Sequence, residues 1–173
     1  MIDKINAAIR SIPDFPKPGI MFKDITPVLR DPDLFAGVVK LIADRWRGKG
    51  LDAVAAVDAR GFIMGGAVAY ELGIGFVPVR KAGKLPWDTV SASYALEYGT
   101  NTVEMHADGV KTGEKILLID DLLATGGTAA AAVSLIEKLG ASIAGIEFML
   151  ELTFLNGRAA LAPHDVYSLI QVD

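Results

Sequence analysis

The stretch "ILLIDDLLATGGT", residues 116–128, places a run of apolar residues in front of two adjacent carboxylates and a Gly-Gly pair. A short apolar run bounded by polar residues is typical of a strand buried on both faces, as in parallel sheets. The residues that follow have a helical pattern from about Gly127 to Leu139, closed by Gly140. The segment therefore predicts a strand, a loop and a helix, the repeating unit of α/β proteins.

The same order of strand, loop and helix occurs before and after this segment. The runs "AVAAV" (53–57) and "FVPV" (76–79) predict two strands, with a helix between them that ends near Gly73. Downstream, "SIAGIEFML" (142–150) predicts another strand, and "DVYSLIQV" (165–172) a last one whose place in the sheet cannot be read. We predict an α/β fold with a central, mostly parallel sheet flanked by helices.

The first thirty residues follow a different pattern. Isoleucines at positions 2, 5, 9 and 12 share one helical face and predict a helix that ends at Pro13. Residues 14–27 are rich in proline and predict irregular structure that either connects or recognises. Asp31 and Pro32 form a good N-cap and first-turn pair for the next helix.

Residues 80–107 interrupt the alternation of strands and helices. They are polar, have no helical period, and contain two short alternating runs around "YGTN". We expect a β-hairpin with a flexible approach that stands off the main sheet. A long excursion of this kind is more often functional than idle, which favours a lid.

Composition limits the possible functions. The 173 residues carry a formal net charge of −4 and include no cysteine and two histidines. The length predicts a single domain over residues 1–173. The negative charge argues against general nucleic-acid binding, which needs a basic face. Thiol chemistry and a histidine-rich metal site are excluded, so any metal would bind oxygen ligands or arrive with the substrate.

The sequence gives no sign of a membrane protein. Its apolar runs are interrupted before the roughly 18 residues that a membrane helix needs. Charges at Asp3, Lys4 and Arg10 interrupt the apolar core that a signal peptide would require. We therefore expect a cytoplasmic protein with no membrane partner.

The loop after the strand 115–120 has the composition of a phosphate site. Ligands of open α/β sheets bind beyond the carboxyl ends of the strands, where helices begin. A helix N-terminus offers free amides and the positive end of its dipole, and glycines let the backbone approach an anion. Residues 124–128 (Ala124, Thr125, Gly126, Gly127 and Thr128) supply such a cradle. No lysine lies between Lys115 and Lys138, which favours a single phosphate over a triphosphate.

The carboxylates before the cradle suit a sugar. Asp120 and Asp121 can accept hydrogen bonds from the paired hydroxyls of a ribose, and one of them can help to hold Mg²⁺. Phosphate and ribose side by side predict a phosphorylated sugar as ligand. The alternative is structural: a capped strand end followed by a tight turn.

Specific motifs connect this pattern to a known family. The stretch "ILLIDDLLATGGT" resembles the phosphoribosyl-diphosphate (PRPP) binding motif of type I phosphoribosyltransferases. In the same order along the chain, "FPKPGIMFKDITP", "DARGF", "RKAGKLP" and "LEYG" closely resemble the adenine phosphoribosyltransferases over nearly the whole length. The resemblance implies the type I phosphoribosyltransferase fold, with a hairpin lid at about 80–107 and an N-terminal base-recognition hood at about 1–30.

The resemblance also implies a reaction: transfer of the phosphoribosyl group of PRPP to adenine, giving AMP and diphosphate, as in purine salvage. Breaking the bond at the anomeric carbon builds positive charge on the ribose and negative charge on the diphosphate. Six residues are implied to receive the diphosphate, together with Mg²⁺ carried by PRPP: Asp58, Ala59, Arg60, Arg80, Lys81 and Lys84. A cis peptide in the "DARG" loop is implied as well. For the "RKAGK" cluster, a solvated basic stretch is the alternative.

The remaining residues concern the base. Glu97 is implied to handle the proton on the imidazole ring of adenine, with Tyr98 beside it in the lid. Met21, Phe22, Lys23 and Leu123 are implied to bind adenine, the backbone of Met21 and Lys23 reading its edge and the Phe22 ring lying against it. The structural alternative for Glu97 is an exposed glutamate on a hairpin. For Met21 and Phe22 it is ordinary packing in the core.

Two other functions stay open. A phosphoribosyltransferase for another base would need a different recognition segment from "GIMFKD". A non-catalytic PRPP-sensing regulator would keep the "DDLLATGGT" loop but would be expected to lose the Glu97 lid and to gain a basic face or a DNA-binding domain. The resemblance further implies a homodimer, in which the hairpin or the Arg80-Lys81 pair reaches toward the neighbouring subunit.

Overall fold

A computed structural model describes residues 1–95 and 100–173 of the chain. Strands and helices alternate along most of it. In chain order they are α1 (Ile2–Ala8), β1 (Arg10–Ile12), β2 (Phe22–Asp24), α2 (Thr26–Arg30), α3 (Pro32–Trp46), β3 (Ala53–Val57), α4 (Arg60–Leu72), β4 (Gly75–Lys81), β5 (Thr89–Ala95), β6 (Thr100–His106), β7 (Lys115–Leu123), α5 (Gly127–Lys138), β8 (Ser142–Leu152) and β9 (Val166–Val172). Two 3₁₀ turns, Thr153–Leu155 and Gly157–Leu161, separate the last two strands.

The central element is a seven-stranded sheet. Its strand order is β5-β6-β4-β3-β7-β8-β9, and the five strands from β4 to β9 in this order are parallel. The hairpin strands β5 and β6 run antiparallel at one edge. The predicted mostly parallel α/β sheet is confirmed, and β9 takes the opposite edge beside β8.

Helices cover both faces of this sheet and produce two apolar clusters. Ile116 and Leu118 pack in the cluster that contains the buried face of α5, whereas Leu117 and Ile119 pack in the one that contains α3 and α4. All four side chains are fully buried. Helices on both sides of strand β7 explain why it is apolar on both faces.

Two predictions about helix ends are confirmed. Asp31 caps α3 by accepting hydrogen bonds at 3.0 Å from the amides of Asp33 and Leu34. Helix α4 ends at Gly73 in a left-handed conformation (φ 69°), which glycine adopts at little cost. No helix in the described ranges is long and apolar enough to cross a membrane.

The N-terminal prediction is wrong in part. Helix α1 ends at Ala8, not at Pro13, because residues 10–12 pair as a strand with residues 22–24. Ile12 lies opposite Phe22 in this small antiparallel sheet. Residues 14–27 are accordingly not irregular throughout, since they contain β2 and the start of α2.

The hairpin is confirmed, but its predicted separation from the sheet is wrong. Strand β6 pairs with the end of β4, with Arg80 opposite Glu104 and Lys81 opposite Val103. Val103 and Met105 are buried in the cluster on the α5 side. Burial of these two side chains attaches the base of the hairpin to the main core.

Candidate active site

Several of the predicted site residues converge at the carboxyl ends of β3 and β7. A cleft of about 490 Å³ opens there. Eight residues predicted from the sequence line it: Asp58, Ala59, Arg60, Lys81, Asp120, Asp121, Ala124 and Thr128. Segments that are far apart in the chain therefore meet at one edge of the sheet, where ligands of α/β proteins bind.

Residues 124–128, called the phosphate loop below, join β7 to α5. They line a small hollow of about 70 Å³. Gly126 has a φ of 85°, and α5 begins at Gly127. The first amides of a helix have no partner within the helix, so the hollow presents donors and the positive end of the α5 dipole. This geometry suits one phosphate group.

Asp120 and Asp121, called the acidic pair below, lie within the last part of β7, which continues to Leu123. The Asp121 amide donates to Asp120 Oδ1 at 2.8 Å. Burial raises the pKa of the Asp120 carboxyl well above its ordinary value, and the neighbouring Asp121 charge acts in the same direction. The site therefore favours a ligand that donates hydrogen bonds to this carboxyl, because such donors stabilise its charge.

Arg60 connects the acidic pair to the N-terminal segment. Its Nε donates to Asp121 Oδ2, and its guanidinium lies 5.5 Å from the centre of the Phe22 ring. Gly61, the next residue, lets α4 approach β7 closely, since a Cβ there would lie 2.8 Å from Asp120 Oδ1. One arginine thus contacts residues predicted for the sugar and for the base.

The remaining cations occupy three different surroundings. Arg80 donates from Nε to Asp58 Oδ2 at 2.9 Å and from Nη1 to the Lys84 carbonyl at 3.2 Å. Lys81 lines the cleft, whereas Lys84 is exposed and does not belong to the cleft lining. The Asp58-Ala59 peptide bond is cis, as the resemblance implies.

The residues predicted to bind adenine are dispersed. Met21 is 51% exposed, and Lys23 donates from Nζ to Ser11 Oγ at 2.8 Å. Phe22 is half-buried and meets Phe15 edge to face, with 5.1 Å between ring centres. Leu123 is only 1% exposed and lines the hollow of the phosphate loop. The structure therefore places Leu123 against the loop, Phe22 near Arg60, Lys23 on Ser11 and Met21 largely in solvent.

Glu97 and Tyr98 fall in residues 96–99, outside the described residues. Their roles stay predictions. The strands on either side are described, and β5 brings a different tyrosine to the site.

That tyrosine, Tyr94, was missed by the sequence analysis. Its hydroxyl accepts a hydrogen bond at 2.9 Å from Thr128 Oγ1, and its ring lies 3.0 Å from the position of a Cβ on Gly127. Asn101, opposite it on β6, also lines the cleft. The alternation of "SASYA" indicates a strand face but does not say that this face covers the start of α5.

The fold and the cleft are those of a phosphoribosyltransferase, and comparison with known proteins gives the same class. The family model described as "Phosphoribosyl transferase domain" matches residues 25–163. An adenine phosphoribosyltransferase from Solibacter usitatus is 52% identical over 169 residues, which cover 98% of each chain. This chain belongs to the adenine phosphoribosyltransferase family.

Solved structures agree. The crystal structure of adenine phosphoribosyltransferase from Thermoanaerobacter pseudethanolicus is 50% identical, with a TM-score of 0.97 over 99% of this chain and 100% of that one. The Saccharomyces cerevisiae enzyme, 37% identical, has a TM-score of 0.93 over 97% of each chain. It was solved with adenine and D-2,5-dideoxy-2,5-imino-altritol 1,6-bisphosphate.

Proposed function

We propose that this protein is a purine salvage enzyme that transfers the 5-phosphoribosyl group of PRPP to adenine, giving AMP and diphosphate. Family membership supports the activity, since relatives with this name cover nearly the whole chain. The observation that carries the proposal is the meeting of the acidic pair, the phosphate loop and Arg60 in one cleft. These groups match the sugar, the phosphate and the leaving group of PRPP.

The sugar and its phosphate occupy the end of β7. The amides and hydroxyls of the phosphate loop hold the 5′-phosphate at the start of α5. The acidic pair accepts hydrogen bonds from the ribose 2′- and 3′-hydroxyls, which stabilises the charge of the Asp120 carboxyl. This arrangement fixes the anomeric carbon in the cleft.

In the reaction the bond between the anomeric carbon and the diphosphate oxygen breaks, and the electron pair leaves with the diphosphate. The ribose passes through an oxocarbenium-like transition state, and a ring nitrogen of adenine then bonds to the anomeric carbon. Residues 58–60 and Lys81, which line the cleft, receive the departing diphosphate, with Arg80 and Lys84 beside them. Cations at this place stabilise the transition state because negative charge develops there.

Mg²⁺ is proposed as the cofactor that accompanies PRPP. Within residues 1–95 and 100–173, no cluster of three metal-ligating side chains occurs. The carboxylates of the acidic pair would hold the ion, because a hard cation prefers oxygen ligands. When bound, the ion neutralises negative charge on the diphosphate.

Adenine is proposed to bind beside β2. In the described part of the chain β2 pairs with β1 alone, so its other edge presents backbone donors and acceptors. The backbone of Met21 and Lys23 reads the amino edge of the base, and the Phe22 ring, near Arg60, covers its face. Leu123 closes the pocket from the side of the phosphate loop. Fixed backbone groups distinguish an amino group from a carbonyl because the wrong partner would leave them unpaired.

Glu97 is proposed to accept the imidazole proton of adenine as the new bond forms. The hairpin of residues 80–107 acts as the lid that carries Glu97 and Tyr98 and excludes water from the cation-like ribose. Residues 1–30 form the base-recognition hood of a single domain that spans 1–173. The buried Val103 and Met105 supply a fixed base for the lid.

The proposed form of the protein is a cytoplasmic homodimer. An apolar groove of about 530 Å³ between α3 and α4 supports self-association, with Phe35, Val39 and Tyr70 in its lining. Tyr70 is 88% exposed and Ile63 45% exposed on the same helix. Exposed apolar surface of this kind marks contact sites in soluble proteins.

An assay with PRPP and Mg²⁺ tests the proposal when adenine, hypoxanthine, guanine and orotate are offered separately. We expect AMP from adenine at a much higher kcat/KM than product from the other bases. If another base is preferred, adenine is not the substrate and the proposal is wrong on this point. If PRPP binds but no base gives product, the protein is a sensing regulator rather than an enzyme.

A further inference from the structure

The phosphate loop rests on a second piece of backbone, the 3₁₀ turn Gly157–Leu161, which is called the Gly157 turn below. A Cβ on Gly126 would lie 2.4 Å from the Gly157 carbonyl oxygen. A Cβ on Gly157 would in turn lie 2.3 Å from the Ala124 carbonyl oxygen. The two backbones are thus in direct contact at two glycines, and a shift of the Gly157 turn would move the phosphate loop.

An ion pair holds this turn to the sheet. Arg158 donates from Nε and Nη2 to the two carboxylate oxygens of Glu151, both at 2.7 Å. Its Nη1 donates to the Val166 carbonyl at 2.8 Å. Bidentate pairs of this geometry fix orientation as well as distance. Arg158 therefore connects the Gly157 turn to both β8 and β9.

Glu151 is itself held in place. It is 4% exposed, lies opposite Leu123 in the β7–β8 ladder, and accepts a hydrogen bond at 2.6 Å from Ser168 Oγ. The bonds from Arg158, together with those from Ser168 and Gln171, lower the pKa of Glu151 from 4.5 to about 2, so the carboxylate is charged at neutral pH. The anchor of the turn is thus a hydrogen-bonded carboxylate, ionised at neutral pH, on the strand next to the acidic pair.

We propose that Arg158, through its fork to Glu151, is a positioning residue that holds the phosphate loop in the shape that binds the 5′-phosphate. This role rests on the proposed function. Arg158 lines neither the cleft nor the hollow of the phosphate loop, so it acts through Gly157 rather than by touching the ligand. Arg158 supports binding of the sugar phosphate and has no effect on binding of adenine.

Strand β8 supplies a matched control. Glu147, four residues before Glu151, is also buried and accepts from Arg45 Nη1 at 2.7 Å. It accepts from Trp46 Nε1 at 2.7 Å as well, and both donors lie at the end of α3, away from the cleft lining. Arg45→Met therefore breaks a comparable buried ion pair on the same strand without touching the Gly157 turn.

The experiment compares Arg158→Met with Arg45→Met. The dissociation constant of ribose 5-phosphate is measured by calorimetry, KM for PRPP and adenine by turnover, and folding by thermal unfolding. Because misplacing a site by about 1 Å through a remote mutation can cost up to about 100-fold, Arg158→Met should weaken ribose 5-phosphate binding and raise KM for PRPP about ten-fold. In Arg158→Met, KM for adenine should stay within about two-fold of the wild-type value. Arg45→Met should lower Tm but should change neither the dissociation constant of ribose 5-phosphate nor KM for PRPP appreciably.

Unchanged binding of ribose 5-phosphate in Arg158→Met overturns the proposal, and so does an equal loss in Arg45→Met. If Arg158→Met does not fold, Arg158→Lys and Arg45→Lys decide in the same way, because lysine keeps the charge beside the buried glutamate. A wild-type protein that binds ribose 5-phosphate but makes no AMP refutes the proposed function while leaving this comparison measurable. Wild-type AMP formation with no effect at Arg158 refutes the positioning role alone.

Discussion

The two halves of the cleft are built in different ways. The sugar-phosphate half comes from one continuous segment, residues 120–128, at the end of a strand buried between two helical layers. The proposed base half combines residues 21–23 with Glu97 and Tyr98 of the hairpin, two excursions from the sheet, and Leu123 borders both halves. Asp121 is 8% exposed, whereas Met21 is 51% exposed.

This difference in construction indicates that substitutions can affect ligand binding in one half of the cleft without affecting it in the other. The sugar-phosphate half shares its backbone with the core, so its geometry depends on the packing of β7, α5 and the Gly157 turn. The base half is attached mainly through the β1–β2 pair and the hairpin base, and it can vary with little disturbance of the sheet. Substitutions in one half should therefore leave the ligand of the other half bound.

The largest effect is expected in the base half, at Glu97. Glu97→Gln removes the proposed proton acceptor and should lower kcat by roughly two orders of magnitude or more, while PRPP still binds. Glu104→Gln on the same hairpin is the control, because glutamine keeps the oxygen that accepts from the Gly83 amide at 2.9 Å. Steady-state turnover and PRPP titration measure both. Undiminished kcat in Glu97→Gln would remove this residue from the mechanism.

In the sugar-phosphate half, Asp120→Asn should raise KM for PRPP about 10- to 100-fold, since hydrogen bonds to a charged group are worth about 1.5–3 kcal/mol. KM for adenine should change much less. Asp52→Asn is the control: Asp52 Oδ2 accepts from the Lys115 amide at 2.8 Å, at the opposite end of β7. Equal losses for PRPP and adenine would contradict the division of the cleft.

A comparison of two glycines separates the effect of a positive φ from the effect of contact with the Gly157 turn. Gly126 and Gly113 have φ values of 85° and 87°, so alanine costs about 1–2 kcal/mol of stability at either position. A Cβ meets the Gly157 carbonyl oxygen at Gly126 and nothing within 4 Å at Gly113. Gly126→Ala should therefore displace the phosphate loop and raise KM for PRPP as well, by about ten-fold. If Gly113→Ala raises it as much in the same turnover assay, the contact has no role.

The smallest effect tests where the lid meets the sugar-phosphate half. Tyr94→Phe removes the acceptor of the Thr128 hydroxyl and should raise KM for PRPP about five-fold, as one neutral hydrogen bond is worth about 1 kcal/mol. Tyr167→Phe is the control, since this ring packs on Trp46 away from the cleft lining. A larger change for adenine than for PRPP would assign Tyr94 to the base half.

The same division explains what could be predicted from the sequence. Strand β7, the phosphate loop and α5 were predicted because they are adjacent in the chain, so that local pattern and turn chemistry determine their geometry. The acidic pair was expected at the end of the strand and lies within its last part. The meeting of residues 58–60 with this segment was implied by the family resemblance, and its physical reason is that ligands of open α/β sheets bind where the carboxyl ends of the parallel strands lie together.

The features that could not be predicted depend on contacts between residues that are far apart in the chain. The isoleucine spacing in residues 2–12 suits a helix, but residues 10–12 form a strand once they meet residues 22–24. A single tyrosine in an alternating run does not reveal that it covers the start of α5. Gly157 and Arg158 gave no signal, because their contacts with Gly126 and Glu151 depend on how the last strands return to the sheet.

A crystal structure of the protein with AMP bound tests the division of the cleft most directly. We expect the 5′-phosphate on the amides of residues 125–128, the ribose hydroxyls within hydrogen-bond distance of the acidic pair, and the adenine ring against Phe22 with its amino edge on the backbone of residues 21–23. A phosphate bound elsewhere, or a base that lies away from β2, would contradict the account.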